Sequence, residues 1–111
     1  MSSSSAGARI ERRAARHYRL RGYRILGTNV WAGGYELDVI ARRGRRLVFC
    51  EVKGKSGAGY GDPLEMVGEE KLRRLHVAAE AWLVRNPGAS GLDYRFEVVA
   101  VRPGQLERVA I

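Results

Sequence analysis

The sequence predicts an α/β sandwich, a mixed sheet flanked by helices in the order αβββαββ. Three observations carry that reading. Two segments repeat apolar residues with helical period, one eight-residue strand candidate is apolar on both faces, and Gly or Pro breaks separate these from further strand-like runs. The chain has 111 residues, 45% of them apolar. That is enough for one core without disulfides or a structural metal, and too little for two.

In residues 9–21, Ile10, Ala14 and Tyr18 recur every four positions with Ala15 beside them. They paint one apolar stripe on an arginine-covered helix, which Gly22 ends. Residues 23–30 form a strand. The Gly33-Gly34 pair turns the chain into a second strand at 35–41, and Arg42-Arg43-Gly44-Arg45 reads as the next turn. Residues 46–53 alternate Leu47 and Phe49 with Val48, Cys50 and Val52, the pattern of a central, doubly covered strand. Four glycines within residues 54–61 predict a mobile loop, and Asp62-Pro63-Leu64-Glu65 begins a short helical turn. In residues 69–86, Leu72, Leu75, Ala79, Trp82 and Leu83 keep helical period until Asn86-Pro87-Gly88. A long strand at 92–102 and a short edge strand at 106–111, joined by Pro103-Gly104, complete the order. One domain thus spans residues 7–111 behind a short disordered tail, residues 1–6.

Twenty Lys and Arg against twelve Asp and Glu leave a net charge of +8, and all but three of the twenty are arginines. An arginine surplus favours a phosphate-bearing partner. The single cysteine, Cys50, forms no internal disulfide, and no run approaches the ~20 apolar residues of a membrane span. The serine-rich start lacks the charged and apolar sections of a secretory signal. The expectation is a cytoplasmic protein that binds no membrane.

Chemistry concentrates on the second and third strands: Glu36 and Asp38, then Glu51 and Lys53. A hairpin closing around Arg43 and Gly44 pairs positions that sum to 87. Asp38 then faces Phe49, Glu36 faces Glu51, and all four side chains share one sheet face. Asp38 and Glu51 become diagonal neighbours at about 7–8 Å, near enough to grip one cation. Oxygen donors with room for water and phosphate describe Mg²⁺ or Mn²⁺ rather than zinc. Lys53 would hold the attacking water or stabilise charge on a phosphate. The competing reading is a solvated hairpin face carrying an ordinary Glu51–Lys53 ion pair; against it, Glu51 sits beside Val52 in an apolar strand, where a carboxylate needs a partner.

Asp38 followed by Glu51-Val52-Lys53 resembles the PD-(D/E)xK signature of restriction-endonuclease-like nucleases, with Leu37 in the place of the proline. The match widens through Glu11-Arg12-Arg13-Ala14-Ala15, Gly22-Tyr23-Arg24-Ile25-Leu26, Asn29, Glu36-Leu37-Asp38-Val39-Ile40-Ala41, Leu47-Val48-Phe49-Cys50-Glu51-Val52-Lys53, Gly61-Asp62-Pro63 and Lys71-Leu72-Arg73-Arg74-Leu75. Over roughly residues 7–101 the chain resembles the YraN family of endonuclease-like proteins, and more distantly the archaeal Holliday-junction resolvases. The resemblance implies a restriction-endonuclease-like core and a Mg²⁺ site at Asp38 and Glu51, assisted by Lys53 and by Glu11 from the first helix. On its own, Glu11 reads as a helix-surface charge paired with a neighbouring arginine. The chain departs from the family pattern at Ile10 and Tyr35, where glycines are usual, and at Val30, where a basic residue is usual.

The expected activity is metal-dependent hydrolysis of phosphodiesters in branched, flapped or single-stranded DNA, with Asp38, Glu51 and the Val52 carbonyl on the metal. Arg12, Arg13 and Arg16 of the first helix, Lys55 and Tyr60 of the glycine-rich loop, and Lys71 are candidate nucleic-acid contacts, as are Arg42, Arg43, Arg45 and Arg46. A homodimer is compatible with this reading, because a symmetric substrate has two strands to cut. Two other classes fit the sequence: a nucleic-acid-binding module of the same fold without chemistry, and a protein-interaction subunit.

Overall fold

A computed structural model describes residues 5–54 and 68–111. Helix α1 (Ser5–Leu20) leads into strands β1 (Arg24–Ala32), β2 (Tyr35–Arg43) and β3 (Arg46–Gly54). Helix α2 (Glu69–Arg85) follows, then a 3₁₀ turn (Pro87–Ala89), β4 (Asp93–Arg102) and β5 (Gln105–Ala110). The sheet order is β1-β2-β3-β4-β5. Only β3 and β4 are parallel, because α2 lies between them in the chain and supplies the crossover a parallel pair requires.

The predicted order αβββαββ and the mixed sheet are both present. Helix α1 begins at Ser5 rather than at residue 9, so Ser5 and Ala6 belong to the helix instead of the expected tail; residues 1–4 lie outside the described residues. The glycine-rich loop with Lys55 and Tyr60, and the turn at 62–65, also lie outside them. Gly54, expected in that loop, closes β3. No helix among the described residues is long and apolar enough to cross a membrane.

Helix α1 stops where the sequence says it should. Gly22 adopts φ 87°; its N–H donates to the Arg19 carbonyl at 3.1 Å and the Tyr23 N–H to the Tyr18 carbonyl at 3.0 Å. These paired bonds satisfy carbonyls the helix leaves open, and they need a residue free of Cβ strain.

The sheet is covered on both faces. On one, α2 packs Leu75, Ala78, Ala79 and Trp82 against Ile40, Leu47, Phe49 and Phe96. On the other, α1 packs Ala14 and Tyr18 against Val39, Ala41, Val48, Cys50 and Val99. Strand β3 therefore contributes side chains to two cores, as its unbroken apolar pattern predicts, and Cys50 faces away from Glu51 as expected.

The hairpin register differs from the expected one. Arg43 pairs with Arg46, Arg42 with Leu47 and Val39 with Cys50, so paired positions sum to 89 rather than 87. Arg42 and Arg43 belong to β2, and the loop is Gly44-Arg45, with Gly44 at φ 60° in the first loop position. Charged residues are tolerated at the solvated end of a strand; a tight reversal whose twist matches the strands demands positive φ, which Gly44 alone provides here. A two-residue shift preserves parity. The functional side chains keep their common face, but their pairing changes.

Candidate active site

The β2–β3 ladder runs as far as Val39↔Cys50. Continued one step past the ladder, this register would bring Asp38 opposite Glu51 rather than diagonal to it. Asp38 is 9% exposed and Glu51 4%. The Val52 N–H donates to Asp38 Oδ2 at 2.9 Å, tying the two strands through a side chain. Glu51 Oε2 accepts two ammonium groups, Lys53 Nζ and Lys71 Nζ, each at 3.3 Å. Lys53 comes from β3 itself, two residues along the same face. Lys71 comes from the first turn of α2, which places it over the end of β3.

Burial pushes the Asp38 carboxyl up to about 7; the facing Glu51 charge adds to the rise, the Val52 N–H opposes it, and the Glu11 and Glu36 charges add smaller contributions. Four carboxylates thus feel one another across this end of the sheet. Asn29 joins two of them: its side-chain amide donates to Glu11 Oε2 at 2.8 Å and to Glu36 Oε2 at 3.3 Å. Asn29 is the non-glycine residue at positive φ among those described, 52°, a conformation Asn adopts more readily than most residues. It lies between Thr28 and Val30, whose β2 partners are Val39 and Leu37, and so across the sheet from Asp38. Glu11 Oε1 is buried and accepts no hydrogen bond.

A cavity of about 290 Å³ opens over the site, lined by Glu36, Asp38 and Glu51, by Lys71 and Arg74 of α2, and by Trp31 and Tyr35 at the β1–β2 turn. Glu11 lines a neighbouring cavity of about 340 Å³ with Arg12 and Asn29. Asn29 ties it to Glu36, and its charge reaches Asp38 through space.

The structure brings together Asp38, Glu51 and Lys53, and links Glu11 through Asn29 to Glu36 beside them. Lys71, a candidate nucleic-acid contact, is within ion-pair distance of Glu51. Arg12 and Arg16 are exposed on α1. Arg13 spends its guanidinium on backbone, donating to the Arg102 carbonyl at 2.9 Å and to the Gln105 carbonyl at 3.5 Å; it fastens α1 to the β4–β5 turn. Asn29 had no assigned role in the sequence, because nothing local marks one polar side chain in a strand as a bridge between distant acids.

The donor chemistry fits a hard divalent cation. Asp38 and Glu51 lie close in a largely buried place, where Asp38 keeps a raised pKa despite the Val52 N–H on it and the two lysines beside Glu51, so a positive ion between them would relieve the remaining repulsion. All their donor atoms are oxygens, and no group of three or more His, Cys, Asp or Glu suited to a metal occurs among the described residues. A cation here would draw its other ligands from the Val52 carbonyl, water or substrate.

A third buried carboxylate has no role in the sequence-based reading. Glu97 on β4 is fully buried; it accepts from the Tyr18 hydroxyl at 2.7 Å, from Arg95 at 2.6 and 2.8 Å, and lies 3.1 Å from Arg108 Nε. The Arg108 guanidinium also lies over the Tyr18 and Tyr23 rings. This cluster is saturated and lies under α1, where it holds the helix to β4 and β5.

The profile of a family described as "Uncharacterised protein family UPF0102" matches residues 10–101. The UPF0102 protein of Geobacter sulfurreducens is 42% identical over 95 residues, covering 86% of this chain and 73% of its own length. That of Rhodococcus jostii is 43% identical over 99 residues, covering 88% and 82%. That of Alkaliphilus metalliredigens is 35% identical over 107 residues, covering 96% and 93%. The matched span runs from α1 to β4 and contains every residue of the acidic cluster. The chain belongs to family UPF0102, the YraN family that its motifs resemble.

Proposed function

We propose that this chain is a metal-dependent nuclease on a restriction-endonuclease-like core, hydrolysing phosphodiester bonds in DNA. The observation that carries the reading is that Asp38 and Glu51 line one cavity, with Lys53 3.3 Å from Glu51, in a chain of net charge +8. Asp38, Glu51 and the Val52 carbonyl would hold Mg²⁺ or Mn²⁺. When bound, such an ion lowers the pKa of a coordinated water and offsets charge on the phosphate.

The protein's own groups have separate tasks. Lys53, partly exposed and 3.3 Å from Glu51, is placed to orient the attacking water and to meet charge developing on the phosphate. Asn29 fixes Glu11 and Glu36 so that their charges act on Asp38 from set positions. Exposed arginines answer the long-range problem that an acidic pocket repels DNA. Arg43, Arg45 and Arg46 line a cavity of about 400 Å³ at the β2–β3 hairpin, and Arg12 stands beside Glu11. Such contacts position a nucleic acid backbone without reading its sequence.

The test is turnover of branched, flapped, single-stranded and duplex DNAs by the purified chain with Mn²⁺ or Mg²⁺. Asp38→Ala and Lys53→Ala should each lower the rate by roughly 10²-fold or more. Cleavage undiminished in both variants would defeat the assignment. One observation favours a second reading, binding without chemistry: Glu51 already has two lysines at 3.3 Å. That reading predicts salt-sensitive binding that neither Mg²⁺ nor Asp38→Ala alters.

A further inference from the structure

We propose that Trp31 is a stacking platform for an unpaired base at the mouth of the acidic pocket. The site would then take strands with at least one unstacked nucleotide, and intact duplex poorly. The inference rests on the nucleic-acid reading above for the class of ligand, and adds which part of the ligand the pocket selects.

Trp31 is 61% exposed, the most exposed aromatic among the described residues, although the ring is large and apolar. The other tryptophan, Trp82, is buried against Phe49, so the core does not need Trp31. Its backbone is nonetheless held firmly. The Trp31 carbonyl accepts from Arg85 at 2.7 Å, Trp31 pairs with Glu36 across the sheet, and Gly33 two residues on lies so close to α2 that a Cβ there would come within 3.1 Å of Val77. An exposed ring on a pinned backbone is the arrangement that loses little entropy on binding a flat partner.

The surroundings specify that partner. Trp31 lines the same cavity as Asp38 and Glu51, and on its α2 wall stand Lys71 and Arg74. Arg74 also lies over the Tyr35 ring, 5.7 Å from its centre. One pocket therefore offers an aromatic face, the acidic pair, and two cations near a phosphate's reach that now pair with carboxylates, Lys71 with Glu51 and Arg74 with Glu70. At about 290 Å³ it lies near the lower end of the ~300–1,000 Å³ range of small-ligand sites, room for about one nucleotide and not for a double helix. In a duplex both faces of a base are covered by its neighbours, so a strand must be unpaired, or unstacked, to lay a base on Trp31.

The experiment uses the full chain and a short oligothymidylate, beside a blunt duplex of equal length, with EDTA present to separate binding from cleavage. Because Trp82 is buried, quenching of tryptophan fluorescence reports on Trp31. The expected result is quenching by the single strand, an affinity for it that falls about tenfold in Trp31→Ala and recovers in Trp31→Phe, and duplex affinity that does not change. Melting of Trp31→Ala at the wild-type temperature would show that the loss is not structural. Absence of quenching, or equal single-strand affinity in wild type and Trp31→Ala, would overturn the platform. The same samples assayed with Mn²⁺ keep the two claims apart. Quenching without any cleavage supports the platform and counts against the nuclease; cleavage with an unchanged strand preference in Trp31→Ala does the reverse.

Discussion

Asp38 carries a cost that a purely structural residue would not. Its folded-state pKa is about 7 against an ordinary value of 3.8. Between those values the folded chain binds more protons than the unfolded one, so this group's contribution to stability falls as pH rises from about 4 to 7 and stays unfavourable above 7. Asp38→Asn keeps an oxygen to accept the Val52 N–H and removes the charge. It should match the wild type near pH 4 and exceed it at pH 8 by a few kcal/mol, since each tenfold change in proton affinity is worth about 1.4 kcal/mol; melting curves at both pH values check this. In Glu97, by contrast, both carboxylate oxygens are engaged by protein donors. Glu97→Ala should cost about 3–5 kcal/mol by stranding Tyr18 and Arg108, measured by urea unfolding. Alternation made the common face of Asp38, Glu51 and Lys53 legible in the sequence. Asn29 and Glu97 were not legible, because their partners come from α1, β2 and β5, and no local pattern announces a contact across tens of residues. For Glu97 one signal does exist in the sequence: an acid between Phe96 and Val98 in an apolar strand needs a partner for the same reason Glu51 does.

At the level of elements, periodicity and turn signals located both α-helices and the five strands among the described residues, and the ends were set by turn chemistry. Gly33 and Gly34, at φ 60° and 87°, make the two-residue loop that a Gly-Gly pair favours. The β2–β3 register departs from expectation because four clustered arginines resemble a loop by polarity, whereas backbone geometry admits only Gly44 at the reversal. Gly44→Val forces a branched side chain into positive φ and should lower stability by about 1–2 kcal/mol. A reduced urea midpoint at constant slope would check it. Metal affinity should be unaffected, because the hairpin tip lies at the far end of β2 from Asp38.

Over the whole molecule, charge is divided. Carboxylates gather where β2 and β3 part at one end of the sheet, while Arg42, Arg43, Arg45 and Arg46 crowd the hairpin at the other. A nucleic acid held by both would span the sheet. Its affinity should fall steeply and log-linearly with salt, and Arg43→Ala with Arg46→Ala should flatten that slope by about two, read from binding isotherms at about 50–200 mM salt. Apolar periodicity and turn residues made the fold class legible, and composition the net positive charge. The arrangement of charge was not, since it depends on which strand ends lie together.

The proposed chemistry depends on Asp38 and Glu51 gripping one divalent ion. Anomalous diffraction from a crystal soaked in Mn²⁺ tests this most directly. A single peak between the two carboxylates, lost in Asp38→Asn, is the predicted result. A soaked crystal with no peak there, or with a peak indifferent to that substitution, would contradict it.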